Sequence, residues 1–544
     1  MNNVSRVEIT KVPTPDMPAS GLGGSINLIS RNGFEAKQAA LNFNAYTMFN
    51  NHNGFTFDGG HRNADSSTTA RFVQPSFDFN YLNPLTKHLA ITIGGARTWR
   101  AKPMETGTKD TDESATWDLV KLVQTTSQWN SLAQITQTLQ GQLGVDWRIS
   151  PADTLSANAQ YRRYDLAITR SVLGFAYGAG ATGDNTFSQG AAAAVGTVTM
   201  NGSGENVDAI TQTKIYNVKY RHRGETWRLD TAASFSTSGS DRPDIDKGFF
   251  NTTPSTIASV IIRGDNLQNS SGLIPTRYTV TTKTGQPVNF LDGGNYSINT
   301  VNTNQADWNS QVYNLRADLA RDFHGVVPFT IKVGGAANTL QNDQRRRPVT
   351  WNFRPNGATD VTSRLASNFD VFDQAFNDDG PTLYDQRVRW ISGKKLYDLY
   401  LKNPSWFVAD DPTTWQNCVT NSRALTERVE AAYVRGDVRL LNNRLWLVGA
   451  CASRARKTSA SARSTTRTPN ISASPTAPSS ATPPVKRCSS RATRSCCANC
   501  ASKSAPPAPI AATAATTRAS MRATTLSKTS SCAPPTPSPS DGQI

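Results

Sequence analysis

The chain has 544 residues and a formal net charge of +16. This charge is uneven: residues 451–544 hold 13 Lys and Arg against one acid, so residues 1–450 carry only +4. No apolar run of about 18 residues occurs, which excludes a transmembrane helix. Cys418 is the one cysteine before residue 451, which excludes a disulfide framework in residues 1–450.

The first recognisable element is the glycine-rich stretch PASGLGGSINLISR at residues 18–31. Gly21, Gly23 and Gly24 suggest a dinucleotide-binding loop, but the third glycine of the G-x-G-x-x-G spacing is missing and no helix follows. The segment SINLIS is short and β-branched and precedes Asn32-Gly33. It therefore predicts a glycine turn that leads into a strand.

Alternation of apolar and polar residues with period two then recurs up to residue 450. The segment YNLRADLARDF is an example, with Leu315 and Leu319 on one face and Arg316 and Asp318 on the other. The pattern predicts eleven strands, at about 39–50, 71–82, 88–102, 136–149, 154–170, 211–222, 225–238, 306–321, 326–342, 424–439 and 443–450.

The connections between these strands alternate in length. Short turns are predicted at Asn83–Lys87, Ser150–Thr154, Arg223–Thr226, Asp322–Val326 and Asn442–Arg444, and long polar links at about 103–135, 171–210, 239–305 and 343–420. Such alternation is typical of an antiparallel up-and-down transmembrane β-barrel. A soluble β-sandwich or propeller is the alternative. Charged residues on the polar faces, such as Arg435, Asp437 and Arg439, fit a water-filled lumen better than a dry core.

Residues 4–31, VSRVEITKVPTPDMPASGLGGSINLISR, resemble the end of the plug domain of TonB-dependent outer-membrane receptors. The matching positions are Val7-Glu8-Ile9, Lys11, Pro13, Gly23-Gly24, Ile26-Asn27-Leu28 and Arg31. Val12 stands where the family usually has glycine, and PTPDMPAS replaces the usual run. The resemblance implies a plug remnant at 1–35 and a partial barrel at 39–450, and the change in composition near residue 450 separates a tail at 451–544.

Membership of this family would imply a transporter in the cell outer membrane. Such a protein imports a scarce extracellular ligand, namely a ferric siderophore, cobalamin or an oligosaccharide, and its partners are the TonB inner-membrane complex and outer-membrane lipid. No signal peptide is recognisable in MNNVSRVEIT, and the family barrel has about 22 strands. We therefore expect that Met1 is an internal start or that the sequence is a fragment, and that this chain alone transports nothing.

Residues 451–544 consist almost wholly of Ala, Ser, Thr, Pro, Arg and Cys and are predicted to be disordered. Three interpretations compete. The basic charge suggests nucleic-acid binding, but aromatic stacking partners are missing. Cys497 and Cys500 suggest a zinc site, but a second correctly spaced pair is missing. The favoured interpretation is a shifted reading frame, because out-of-register GC-rich codons give this composition and the change falls within a predicted strand.

The sequence predicts no enzyme, no catalytic residue, no metal site and no cofactor. The five histidines are scattered without an H-E-x-x-H spacing. Aromatic residues of the long links are the candidates for stacking on a sugar or siderophore, or else for packing within the links: Trp390, Tyr397, Tyr400 and Trp406. Ligand-binding residues are otherwise unknown. A passive porin, a surface adhesion barrel and, from the tail alone, a nucleic-acid-binding protein are the functional alternatives.

Overall fold

The structure of the chain is a computed structural model. It describes residues 4–11, 25–30, 32–48, 74–103, 114–202, 206–267, 275–325, 327–372, 382–441, 444–462 and 517–518. The described chain is mostly β-structure and is dominated by one large antiparallel sheet. None of its helices is long and apolar enough to span a membrane.

Eleven long strands make up this sheet, and each pairs antiparallel with the next in sequence. They are β3 (Ala40–Met48), β4 (Gln74–Pro84), β5 (Leu89–Pro103), β6 (Val123–Arg148), β7 (Asp153–Ala176), β8 (Asn206–Arg223), β9 (Trp227–Arg242), β10 (Gln305–Phe323), β11 (Phe329–Arg347), β12 (Arg423–Leu440) and β13 (Leu445–Ala462). The prediction of about eleven antiparallel strands is confirmed.

The connections alternate as the sequence pattern indicates. Short turns at 85–88, 149–152, 224–226, 324–328 and 441–444 lie at one end of the sheet, and segments 49–73, 104–122, 177–205, 243–304 and 348–422 leave from the other end. The turn at 149–152 shows how polar residues close such a connection: Ser150 Oγ donates to Asp153 Oδ2 at 2.6 Å. We call the two ends the short-turn end and the long-loop end.

A separate hairpin precedes the sheet. Its strands, β1 (Val4–Thr10) and β2 (Ser25–Ser30), pair antiparallel with Glu8 opposite Asn27. The 3₁₀ helix Gly33–Glu35 follows and leads into β3. The glycines of residues 21–24 lie outside the described residues.

The described residues of segments 114–122, 177–202, 243–304 and 348–422 form a unit built around one hydrophobic core, which we call the cap. It contains α1 (Gly393–Lys402) and α2 (Asp411–Asn421), which are N-capped by Ser392 and Asp410. Its 3₁₀ helices are Asp244–Lys247, Gly293–Asn295, Pro355–Gly357, Thr362–Arg364, Ala366–Asn368 and Pro404–Trp406. The shorter strands are Ser114–Asp118, Thr182–Gly183, Phe187–Gln189, Gly196–Met200, Ser255–Asp265, Arg277–Thr282, Ser297–Ile298, Thr300–Asn302, Thr350–Phe353, Thr382–Leu383, Gln386–Arg387 and Phe407–Ala409.

Three strand limits differ most from the prediction. β6 begins at Val123 instead of about 136, and β7 runs to Ala176 instead of about 170, because these ends pair with each other and enter the core of the cap. β13 continues to Ala462, past the predicted limit at residue 450, because its backbone keeps register with β12 up to the pair Arg423 and Ala462. Residues 463–544 lie outside the described residues except Thr517–Arg518, which pair with Ala455 and Arg456.

Candidate functional site

One face of the eleven-stranded sheet is apolar yet exposed. Phe43 is 69% exposed, Leu315 60% and Val434 53%, although each lies in the middle part of a long strand. We call this surface the apolar belt. Its exposed large side chains are Leu41, Phe43, Phe77, Ile93, Leu139, Leu143, Trp147, Tyr216, Val218, Trp227, Tyr313, Leu315, Leu319, Phe329, Ile331, Val333 and Val434. Exposure of so large an apolar surface to water is unfavourable. A contact between the belt and another apolar surface would remove this cost.

Cross-strand pairing makes the belt continuous. Tyr216 lies opposite Phe235, and Phe235 lies opposite Tyr313, with ring centroids 6.3 and 4.8 Å apart. Further along the sheet, Val333 lies between Leu319 and Val434 on the neighbouring strands. The apolar surface is therefore one band across the strands and not a set of isolated exposed residues.

The belt has a limited height along each strand. On β11, alternate residues are apolar or small from Phe329 to Ala337, and polar from Thr339 and Gln341 onward. On β12 the change from apolar to polar residues comes at Glu430, which forms an ion pair with the exposed Arg428. A band of this height matches the roughly 9–11 strand residues that cross a bilayer.

Aromatic residues border the belt. Four tryptophans lie near strand ends, where an outer-membrane barrel is expected to carry an aromatic girdle: Trp99, Trp147, Trp227 and Trp446. The strand register places Trp147 and Trp227 on the apolar face near the short-turn end and Trp99 on the same face toward the long-loop end. Trp446 differs from that expectation. It lies on the polar face, because it pairs with Arg439 and donates its Nε1 hydrogen to Asp437 Oδ1 at 3.1 Å.

The other face of the sheet is polar. Residues that alternate with the belt include Asn44, Asp78, Gln142, Asn158, Asn217, Ser234, Asn314 and Asn338. Near the short-turn end, charged residues of this face surround a cavity of about 290 Å³. We call these residues the charged cluster: Arg223, Arg228, Asp230, Asp318, Lys332, Arg435, Asp437 and Arg439. The sequence pattern placed Asp318, Arg435, Asp437 and Arg439 on a polar face, and the structure brings them together.

Each carboxylate of the charged cluster has a basic partner. Arg223 Nη2 reaches both oxygens of Asp230, at 2.9 and 2.8 Å. Arg435 donates through Nε and Nη2 to Asp437, at 2.9 and 2.6 Å. Five cations and three carboxylates line the cavity, so its net charge is positive. Such a surface suits acidic groups of a polypeptide or a small anion.

Asp318 is the most buried carboxylate of the cluster, at 6% exposure. Arg316 Nε donates to its Oδ2 at 2.6 Å, and the Tyr433 hydroxyl donates to its Oδ1. Gly334 leaves room for this contact, since a Cβ there would lie 2.4 Å from Asp318 Oδ1. Gly334 and Tyr433 could not be identified from the sequence, because the contact depends on the register of three strands.

The segment after the N-terminal hairpin docks on the same polar face. Gly33 N donates to Asp146 Oδ2 at 2.9 Å, and Ser156 Oγ donates to the other oxygen of Asp146 at 2.6 Å. The Arg148 guanidinium lies 3.9 Å from the centre of the Phe34 ring. A Cβ on Gly33 would lie 2.8 Å from the Cβ of Ala90, so the close approach requires glycine. A second cavity, of about 620 Å³, is lined by this segment and by the sheet.

The aromatic residues considered as ligand contacts lie in the core of the cap or pack against it. Trp390 is 2% exposed and stacks on Trp129 with ring centroids 5.9 Å apart. Tyr397 and Tyr400 pack edge-on against the buried Phe250. Trp406 packs against the same core. Trp390 therefore packs inside the cap, and Tyr397, Tyr400 and Trp406 are partly buried against its core.

The described residues contain no group of three or more His, Cys, Asp or Glu side chains placed to hold a metal ion. Cys418 is buried in α2 and points at the carbonyl of Pro348, 3.7 Å away. Comparison of the chain with protein-family models finds no match. Comparison with curated proteins finds no significant match.

Proposed function

We propose that this chain is part of a TonB-dependent outer-membrane transporter. The observation that carries the proposal is the apolar belt, because a continuous exposed band of Leu, Val, Ile and aromatic residues suits a strand wall that faces lipid. The polar opposite face then lines the lumen of a barrel, in which every strand is paired. The resemblance of residues 4–31 to a plug end distinguishes a transporter from a barrel without a plug.

The asymmetry of the two ends supports an orientation. Barrels of bacterial outer membranes have short turns on the periplasmic side and long loops outside. By this rule the cap is extracellular and is the first part of the protein to meet the ligand. The ligand is a ferric siderophore, cobalamin or an oligosaccharide. The plug remnant enters from the periplasmic side, where the TonB complex acts, and this agrees with the docking of Gly33 and Phe34 near the short-turn end.

The charged cluster has a role in this scheme. It lies on the lumen face, within the polar surface that a plug would contact, and its net positive charge would attract acidic plug residues. Ion pairs already within the wall, such as Arg223 with Asp230, keep the cations oriented in the absence of a plug.

A surface adhesion barrel is the second candidate, and one observation favours it. The cap exposes large apolar side chains at Val361, Leu401, Val408 and Trp415. Exposed residues of this kind on a rigid, well-packed unit suit contact with another macromolecule. Loss of cell adhesion on replacing Trp415 and Leu401 by serine, with ligand uptake unchanged in a chain extended to a full barrel, would favour this candidate.

Folding into lipid vesicles tests the proposal. The protein is diluted from urea into vesicles whose acyl chains carry bromine at a known depth, and tryptophan fluorescence is recorded. We expect quenching of the belt tryptophans Trp147 and Trp227, together with protection of the strands from protease. Unquenched fluorescence with a soluble, protease-resistant protein would contradict a lipid-facing wall.

A further inference from the structure

The strongest unassigned feature of the apolar face is a cation that lies next to two aromatic rings at the edge of the belt. The Arg321 guanidinium lies 5.0 Å from the ring centre of Trp227 and 4.7 Å from that of Phe323. Phe323 in turn stacks on Phe329 with centroids 4.4 Å apart and planes at 8°. We call these four residues the aromatic clamp. They lie on three adjacent strands, all at the short-turn end.

The register places the aromatic clamp on the apolar face. Arg321 lies opposite Trp227 on β9, and Phe323 lies opposite Phe329 on β11. Arg321 alternates with Leu319 and Leu315, which belong to the belt. The clamp therefore lies where the apolar band ends.

Arg321 is exposed and makes no ion pair with a described residue. The adjacent acid, Asp322, lies on the polar face, where Arg228 Nη2 and Thr330 Oγ1 each bond its Oδ1 at 2.6 Å. Two rings lie within 5.0 Å of the exposed guanidinium, and no carboxylate of the described residues pairs with it. A guanidinium fixed in this way is prepared for bidentate bonds to a phosphate.

We propose that the aromatic clamp binds the phosphate of a phospholipid headgroup. The charge is complementary, and the clamp is continuous with the apolar belt, so one lipid can place its phosphate on Arg321 and its acyl chains on Leu319, Ile331 and Val333. Trp227 and Phe329 would contact the glycerol region, where aromatic rings are favoured. The inference rests on the proposed membrane location and adds a specific lipid site at the short-turn end.

Native mass spectrometry of the refolded protein in detergent tests the site. The probes are dimyristoyl phosphatidylglycerol, diacylglycerol with the same chains, and inorganic phosphate. The matched control for R321Q is R439Q, because Arg439 also lies over a tryptophan near the short-turn end, at 5.8 Å from Trp446, but on the polar face. A second variant, R321K, keeps the charge and loses the fork.

We expect the wild type and R439Q to retain the phospholipid and R321Q to lose affinity by about tenfold, the effect of one charge-assisted bond pair. R321K should lie between them, and diacylglycerol should not be retained. Equal retention by R321Q and wild type, or displacement of the lipid by millimolar inorganic phosphate, would overturn the inference. Failure of all variants to enter brominated vesicles would instead reject the proposed membrane location and the site with it.

Discussion

Gly334 of β11 lies directly between Asp318 of β10 and Tyr433 of β12, and its missing side chain makes room for the hydrogen bond between them. A Cβ at residue 334 would lie 2.4 Å from Asp318 Oδ1 and 2.5 Å from Tyr433 Cε1. One glycine therefore allows the most buried carboxylate of the charged cluster to be satisfied. Glycine generally weakens the interior of a strand, and the close contact between Asp318 and Tyr433 explains its presence at residue 334.

Replacing Gly334 by alanine should separate Tyr433 from Asp318. We expect a loss of about 1–3 kcal/mol in the free energy of unfolding, since a packed side chain must shift and a buried acceptor loses a donor. Gly335→Ala is the control, because the nearest atom to its Cβ is the Ala431 carbonyl oxygen at 3.4 Å. Urea unfolding from vesicles measures both variants. An equal effect of the two substitutions would contradict the role given to Gly334.

Removing the Asp146 carboxylate should loosen the segment that follows the N-terminal hairpin. Asp146→Ala removes the acceptor of both Gly33 N and Ser156 Oγ. The loss should lower the free energy of unfolding by about 1–3 kcal/mol. We expect faster tryptic cleavage after the exposed Lys37, followed by mass spectrometry. Asp78→Ala, on the same face and bonded to Asn44, is the control. Cleavage at the same rate in both variants would show that Asp146 does not hold the segment.

Asp244 should make the stability of the cap depend on pH. Its side chain is fully buried, and its Oδ2 accepts a bond from Asn304 N at 2.6 Å, which joins the two ends of segment 243–304. Burial raises the pKa of this carboxyl to about 6 from its ordinary value of 3.8, against the opposing effect of the Asn304 bond and of Arg242. The folded state thus binds the proton more tightly than the unfolded state. The stabilisation of the folded state by protonated Asp244 is complete below pH 3.8, and it is lost as the pH rises through about 6.

Asp244→Asn should remove this dependence and keep the acceptor for Asn304. A pKa rise of this size corresponds to about 3 kcal/mol, so the variant should be more stable than wild type by up to that amount at pH 8 and nearly equal at pH 4. Asparagine also tolerates the left-handed backbone at this residue, where φ is +38°. Hydrogen exchange of segment 243–304 measures the effect. Wild-type exchange that is independent of pH, after correction for intrinsic rates, would exclude it.

The stacked pair Trp129 and Trp390 should hold the cap together. Trp390→Ala leaves a cavity in the core and should cost about 3–5 kcal/mol. The control is Trp415→Ala, because Trp415 in α2 is 62% exposed. Protease resistance of the cap, with the strands monitored separately, distinguishes the two variants. If Trp390→Ala leaves the cap resistant, its aromatic core is not what stabilises it.

The sheet could be predicted from the sequence because period-two alternation is a local property. A few neighbouring residues are enough to predict the turn at Arg223–Thr226. They are also enough to place Leu315 and Arg316 on opposite faces of the sheet. The cap could not be predicted in this way, since its short strands and 3₁₀ helices have no periodicity. Its core joins residues as distant as Trp129 and Trp390.

The candidate site was predictable only in part. The polar position of Arg435 and Asp437 follows from alternation, whereas the cavity they share with Arg223 and Lys332 depends on the register of strands far apart in sequence. The extension of β13 to Ala462 was missed because small and polar residues carry no apolar alternation there. The shifted reading frame proposed for residues 451–544 stays a prediction, which resequencing of the DNA across codons 440–460 would test.

The most direct test of the account compares arginine substitutions at two adjacent residues of β10. Leu315 lies on the apolar belt, and Asn314 lies on the polar face, where it donates to Ser234 Oγ at 3.1 Å. We expect Leu315→Arg to destabilise the protein folded in vesicles by about 2–4 kcal/mol. Asn314→Arg should change the same stability by less than about 1 kcal/mol. Equal effects of the two substitutions, or a neutral Leu315→Arg, would show that the belt does not face lipid.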